Sequence, residues 1–211
     1  MSSGFGANIL VTGADRGIGH GLVQAFAKRD EVKNIFAACY DPEQAEHFHQ
    51  KVIVIKMDVE NDKSIDDAYD ETVKLLGNEP LNLLINNAGI GGREGTAYDN
   101  AERDAFQKVF NVNATAPAMV TKKFLPLIEK ADKEGQRAMI INIGSYGGSI
   151  SIGYMVRVNI VYGMSKAALH FYTQLMSKFM ADTGLHQSSL QRFNCLVWLR
   201  NAAASRILQL E

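Results

Sequence analysis

The chain has 211 residues, 46% of them hydrophobic and 21% charged, with a formal net charge of −1. That length and composition suit one globular domain, 1–211, able to bury a core of its own. The near-neutral charge offers no basic field for nucleic acid or an anionic membrane, and no apolar run approaches the roughly 20 residues of a membrane-spanning helix.

In chain order, the start MSSGFGANILVTG lacks the charged and apolar segments of a signal peptide, so a cytoplasmic protein is expected. ANILVTG (7–13) reads as a short buried strand ending at glycine, and Ile18, Leu22, Ala25 and Phe26 then recur at the helix period. NIFAACY (34–40) and KVIVIKMD (51–58) are strand-like. Between them His47 and His49 have no cysteine or carboxylate at ligand spacing, and no metal site is expected. SIDDAYDETVKLLG (64–77) returns to helix. LNLLINNAG (81–89) and RAMIINIGS (137–145) are further apolar strands, separated by a long helical region through Phe106, Phe110 and Leu125. A helix then runs to about Asp182, and FNCLVWL (193–199) reads as a sixth strand. Cys39 and Cys195 lie in apolar strand segments and read as buried, reduced thiols. Continuous apolar strands alternating with helices predict a parallel sheet covered on both faces, with ligands at the carboxyl ends of the strands.

TGADRGIGHG (12–21) stands between the first strand and the first helix. Gly13 allows a tight turn, Gly17 lets the backbone approach a pyrophosphate, and Gly19 allows close helix packing; the helix amides then face the anion. At the end of the second strand, where an acidic residue would hold the ribose of NAD, the chain has Cys39 and Tyr40, with Asp41 slightly late. Arg16 either pairs with the 2′-phosphate of NADP or is an idle exposed arginine. NADP(H) is therefore favoured, with NAD(H) the alternative. Asp58 either accepts from the adenine amino group or caps the end of its strand.

TGADRGIG, NNAG (86–89), Asn113 in VNA, and Ser145 followed by Tyr162 and Lys166 stand in this order along the chain. Together they resemble the short-chain dehydrogenase/reductase family from about Ile9 to Met180; DPEQAEHF and YGMSKAAL are similar to its carbonyl-reductase-like members. The resemblance implies a Rossmann-type, doubly wound, three-layer α/β fold, with hydride transfer between NADP(H) and a small-molecule carbonyl or alcohol. It implies that Tyr162 is the general acid and base. Lys166 favours the phenolate and holds the nicotinamide ribose, Ser145 hydrogen-bonds the substrate oxygen, and Asn113 holds a proton-relaying water through its backbone. A cofactor cleft of Gly13, Asp15, Arg16, Gly17, Ile18, Gly19, Asp58, Val59, Asn87, Ala88 and Gly89, closed by Tyr162 and Lys166, is implied too. Monomer and homo-oligomer are both left open.

Two departures from the pattern bear on activity. The interval from Ser145 to Tyr162 is longer than usual, so GGSISIGYMVRVNI is expected to bulge, and Tyr154 has no lysine at i+4. Trp198, Leu199 and Arg200 stand where the resemblance would put a Pro-Gly turn before a substrate lid. A shortened or atypical C-terminal end is therefore expected. The competing reading is a dinucleotide-binding or interaction protein that does not turn over substrate. A Rossmann methyltransferase is a distant third, since it needs neither NNAG nor a Tyr/Lys pair.

Overall fold

The computed structural model describes residues 6–45, 49–92, 94–151, 153, 159–182 and 193–196. Strands β1 (Asn8–Thr12), β2 (Asn34–Cys39), β3 (Val52–Lys56), β4 (Leu83–Asn86), β5 (Met139–Ile143) and β6 (Phe193–Leu196) form one sheet in the order β3-β2-β1-β4-β5-β6. Every pairing is parallel. The chain winds outward from β1 to β3, then crosses back to start again at β4. The reversal of direction opens a crevice at the carboxyl ends of β1 and β4.

Alternation along the strands sends side chains to two apolar layers. Ile9 and Val11 of β1 join Leu22, Val23 and Phe26 of α1 (Gly17–Ala27) on one face. Leu10 points the other way, into a layer with Ile65 and Ala68 of α2 (Asp62–Leu76) and Val120, Phe124 and Ile128 of α4 (Ala116–Lys133). Met180 of α5 (Ile160–Asp182) closes that second layer. The molecule is thus a three-layer, doubly wound α/β fold of Rossmann type.

At the amino ends of the strands, Asn82 does the joining. Its Oδ1 accepts the main-chain N–H of Ala7 and of Asn8, at 3.1 and 3.0 Å, and its Nδ2 donates to Gln136 Oε1 and the Arg137 carbonyl.

The helical region after β4 divides where the sequence shows one period. α3 (Arg103–Phe110) passes into a π turn, Asn111–Thr115, and then into α4. The Ala116 N–H reaches back five residues to the Asn111 carbonyl, which widens the turn and rotates Asn113 into the core. The predicted sixth strand is present as β6. Trp198, Leu199 and Arg200 lie outside the described residues, as does Tyr154.

Candidate active site

The glycine loop is shaped by what surrounds it. Gly13 has φ +61°, and a Cβ there would stand 2.7 Å from Ala88 Cα. A Cβ on Gly19 would collide with the Gly13 carbonyl oxygen and stand 2.5 Å from Asn87 Nδ2. Gly17, also at φ +61°, has nothing within 4 Å of that position. Two of the glycines therefore let protein pack on protein, and the third leaves open space.

Thr12 and Asn87 lock this loop to the end of β4. Thr12 Oγ1 accepts the N–H of Asn87 and of Ala88 at 3.0 and 3.1 Å, while Asn87 Nδ2 donates to the Thr12 and Gly13 carbonyls. Arg16, at the N-cap of α1, is extended and gives no side-chain cap, and the first turn of α1 holds no acidic residue. With no side chain capping its first-turn amides and open space at Gly17, this end of the helix fits an anionic pyrophosphate.

Beyond the loop, Asp15 Oδ1 accepts the Asp41 N–H at 2.9 Å, and Asp41 Oδ1 in turn accepts the Glu43 N–H at 3.2 Å. Both carboxylates therefore hold main chain at the end of β2; Tyr40, which follows that strand, and Arg16, at the start of α1, are exposed. Asp58 Oδ1 accepts the Glu60 N–H at 3.0 Å, so it caps the turn after β3. Tyr40, Asp41, Lys56, Asp58 and Ser64 line an open groove of about 840 Å³ between these strand ends. Val59 faces a second one, of about 440 Å³, shared with Asn111 and Met119.

On the other side of the crevice, Asn113 is fully buried. Its Oδ1 accepts the Ile90 N–H at 2.8 Å, and its Nδ2 donates to the Ile90 carbonyl and to Ser165 Oγ at 2.8 and 3.0 Å. The side chain is spent on structure, so any ligand would be held by the main chain of the π turn. Lys166 is only 4% exposed. Its Nζ donates to the Ile143 carbonyl at 2.7 Å and lies 5.9 Å from the centroid of the Tyr162 ring. A Cβ on Gly89 would stand 3.2 Å from Asn113 Oδ1 and 3.7 Å from Lys166 Nζ, so these three residues meet.

Ser145 follows β5 and opens a 3-10 turn, Tyr146–Gly148. Its Oγ accepts the Gly147 N–H at 3.1 Å, which leaves its own proton to donate. A Cβ on Gly148 would stand 2.5 Å from the Lys166 carbonyl carbon, so the Ser145 turn rests directly on the backbone of α5. Behind the site Asn86 Nδ2 donates to Thr121 Oγ1 and Asn142 Oδ1, tying α4 to β4 and β5.

Three residues here were not picked out by sequence. Thr12 carries the loop–β4 junction. Asn159 caps α5 by accepting the Tyr162 N–H at 3.0 Å, and donates to the Gly91 carbonyl. His170 accepts the Ser145 N–H through Nε2 at 3.2 Å. Asn159 was legible as an N-cap three residues before Tyr162, and His170 as the next residue after Lys166 on its helix face. Nothing local marks Thr12.

The family model described as short chain dehydrogenase matches residues 7–191. The chain belongs to the short-chain dehydrogenase family. The NADPH-bound carbonyl reductase from chicken fatty liver is similar to it with a TM-score of 0.78 at 35% identity, over 85% of this chain and 76% of that one. Sniffer of Caenorhabditis elegans gives a TM-score of 0.82 at 30% identity, over 97% of this chain and 90% of its own. Short chain dehydrogenase tazN of Aspergillus terreus is 32% identical over 160 residues, which are 69% of this chain and 33% of tazN. Across the first curated relatives, this short-chain dehydrogenase spans from a third to about two thirds of their length. No helix of the described residues is long and apolar enough to cross a membrane.

Proposed function

We propose that the protein is an NADP(H)-dependent carbonyl reductase in which Tyr162 is the general acid and base. The observation that carries this is the buried Lys166 ammonium, one helical turn from Tyr162 and fixed by the Ile143 carbonyl. A cation held at that place stabilises the phenolate that remains once Tyr162 has given up its proton. A bound nicotinamide dinucleotide supplies the hydride.

The chain's own residues then have separate tasks. Gly17 and the first amides of α1 hold the pyrophosphate, while Ala88, Gly89, Asp58 and Val59 border the rest of the cleft. Ser145 donates its free hydroxyl proton to the substrate oxygen and stabilises the charge that gathers there. Tyr162 passes its proton to the same oxygen. Asn113 holds the π turn open, so that its main chain can keep a water within reach of Lys166.

The preference for NADP(H) rests on charge. Asp15 and Asp41 hold main chain, whereas Arg16, next to Asp15 in the chain, is exposed. The chicken relative was solved with NADPH.

The test is calorimetric titration with NADPH and then NADH, followed by NADPH oxidation across a panel of carbonyl compounds. Saturable binding, tighter for NADPH, and carbonyl-dependent turnover are expected. Tyr162→Phe should keep binding and lose about 10²–10⁴-fold in kcat. Binding without turnover on any carbonyl would overturn the catalytic reading and leave a non-catalytic dinucleotide binder.

A further inference from the structure

Helix α5 grips the end of β5 with two side chains one turn apart. Lys166 donates to the Ile143 carbonyl, and His170 Nε2 accepts the N–H of Ser145, two residues further on. The β5–β6 pairing ends at Ile143, so the Ser145 N–H lies beyond the ladder and is held by an imidazole instead. A main-chain N–H is always the donor, so Nε2 must carry no proton. We infer that His170 is a positioning residue: as the neutral imidazole protonated on Nδ1 it fixes Ser145 for its substrate, and gaining a second proton releases it.

An imidazolium would turn an N–H towards the Ser145 N–H, replacing attraction with repulsion. Burial, and then the Lys166 ammonium, hold the imidazole's pKa below the usual histidine range, which keeps the acceptor form in place at neutral pH. Lys166 is the charged group acting on His170 among the described residues. The 3-10 turn brings only the phenol of Tyr146, and β5 (MIINI) carries no titratable side chain.

The effect on turnover rests on the proposed role of Ser145; the hydrogen bond itself does not. Nitrogen-15 NMR of the intact protein, with the His170 signals assigned by their loss in His170→Gln, reads tautomer and titration directly. The expected result is Nδ1–H at neutral pH and a Ser145 amide shift that follows the His170 midpoint, with that dependence gone in His170→Gln. An Nε2–H tautomer, or a Ser145 amide indifferent to His170 protonation, would overturn the inference whether or not the protein is active. In the second arm kcat/KM is followed against pH. The parent should lose activity on the acid side at the His170 midpoint, and His170→Gln should keep most of the rate without that limb, because its amide still accepts. Above the His170 midpoint His170→Leu should be about tenfold slower than the parent, the size of one lost hydrogen bond, and the gap should close below it, where the parent has lost that bond too. Equal losses in the Gln and Leu variants would mean that His170 only fills space. If the parent turns over no carbonyl, the proposed function fails and the NMR result alone decides the inference.

Discussion

Gly17 and Gly19 are two residues apart and would answer differently to the same added methyl group. At Gly19 the methyl would strike the Gly13 carbonyl and the Asn87 amide, which together hold the loop. Gly19→Ala is expected to abolish dinucleotide binding in a calorimetric titration and to lower Tm by several degrees, because overpacking a tight contact costs about 1–3 kcal/mol. Gly17→Ala meets open space and has only its φ of +61° to contend with, a strain of about 1–2 kcal/mol. It should stay folded and bind weakly. Arg16 belongs at the same scale. Arg16→Ala should weaken NADPH about 10–100-fold and leave NADH nearly unchanged, as losing a charge-assisted hydrogen bond to a phosphate would; equal weakening of both nucleotides would remove Arg16 as the phosphate reader. Glycine spacing shows in a sequence because each position has its own steric reason. Thr12 does not, since its partners Asn87 and Ala88 lie 75 and 76 residues away and a threonine ending a strand looks like any other.

At the scale of elements, the joint between α2 and α4 is the plainest to test. Phe124 is fully buried and meets the Tyr69 ring edge-on, with centroids 5.4 Å apart, while Lys123 lies over the same Tyr69 ring. Phe124→Ala should cost about 3–5 kcal/mol in urea unfolding, since the cavity lies between a helix and a sheet that cannot easily close on it. A loss below about 1 kcal/mol would mean that the layer repacks freely. Phe124 is visible in the sequence as part of an apolar period, and so are Phe106 and Phe110. The π turn between them is not, because one inserted residue barely disturbs a helical period. The partner that holds it lies far off in the chain: Ile90 bonds both ends of the Asn113 amide, a contact 23 residues away. The alternation of strands and helices, by contrast, needs only local pattern, which is why the parallel sheet was foreseeable while the break in the helix was not.

For the molecule as a whole, acid is the informative stress. His170 titrates below its ordinary pKa in the folded chain, so in that interval the unfolded chain binds more protons and stability rises with pH. This contribution is complete above the ordinary histidine value, about 6.5, and is lost as pH falls towards the folded value. Thermal melts at about pH 7.5 and about pH 5.5 should show a smaller drop in Tm for His170→Gln than for the parent. Identical drops would show that His170 keeps its ordinary affinity for protons. The sign follows from burial and a neighbouring cation, and neither can be read from five scattered histidines in a sequence. The carboxyl-end crevice was readable in advance because it follows from strand order alone; how α5 clasps the Ser145 turn was not, since it depends on where two distant segments meet.

The lock between Thr12 and the Asn87 turn also has a consequence in time. Proteins leave the ribosome amino end first, and segments that complete their own contacts begin to fold before the rest has been made. Strands β1 to β4 and both partners of this lock lie before residue 90. The nascent chain therefore holds everything needed to close the proposed nucleotide cradle well before Tyr162 and Lys166 have been synthesised. On the far face of that early sheet Ile65 and Ala68 of α2 are already at hand, but the places of Val120, Phe124 and Ile128 stay empty until α4 emerges, and a chaperone that binds bare apolar surface would find this part-covered intermediate before the fold is complete.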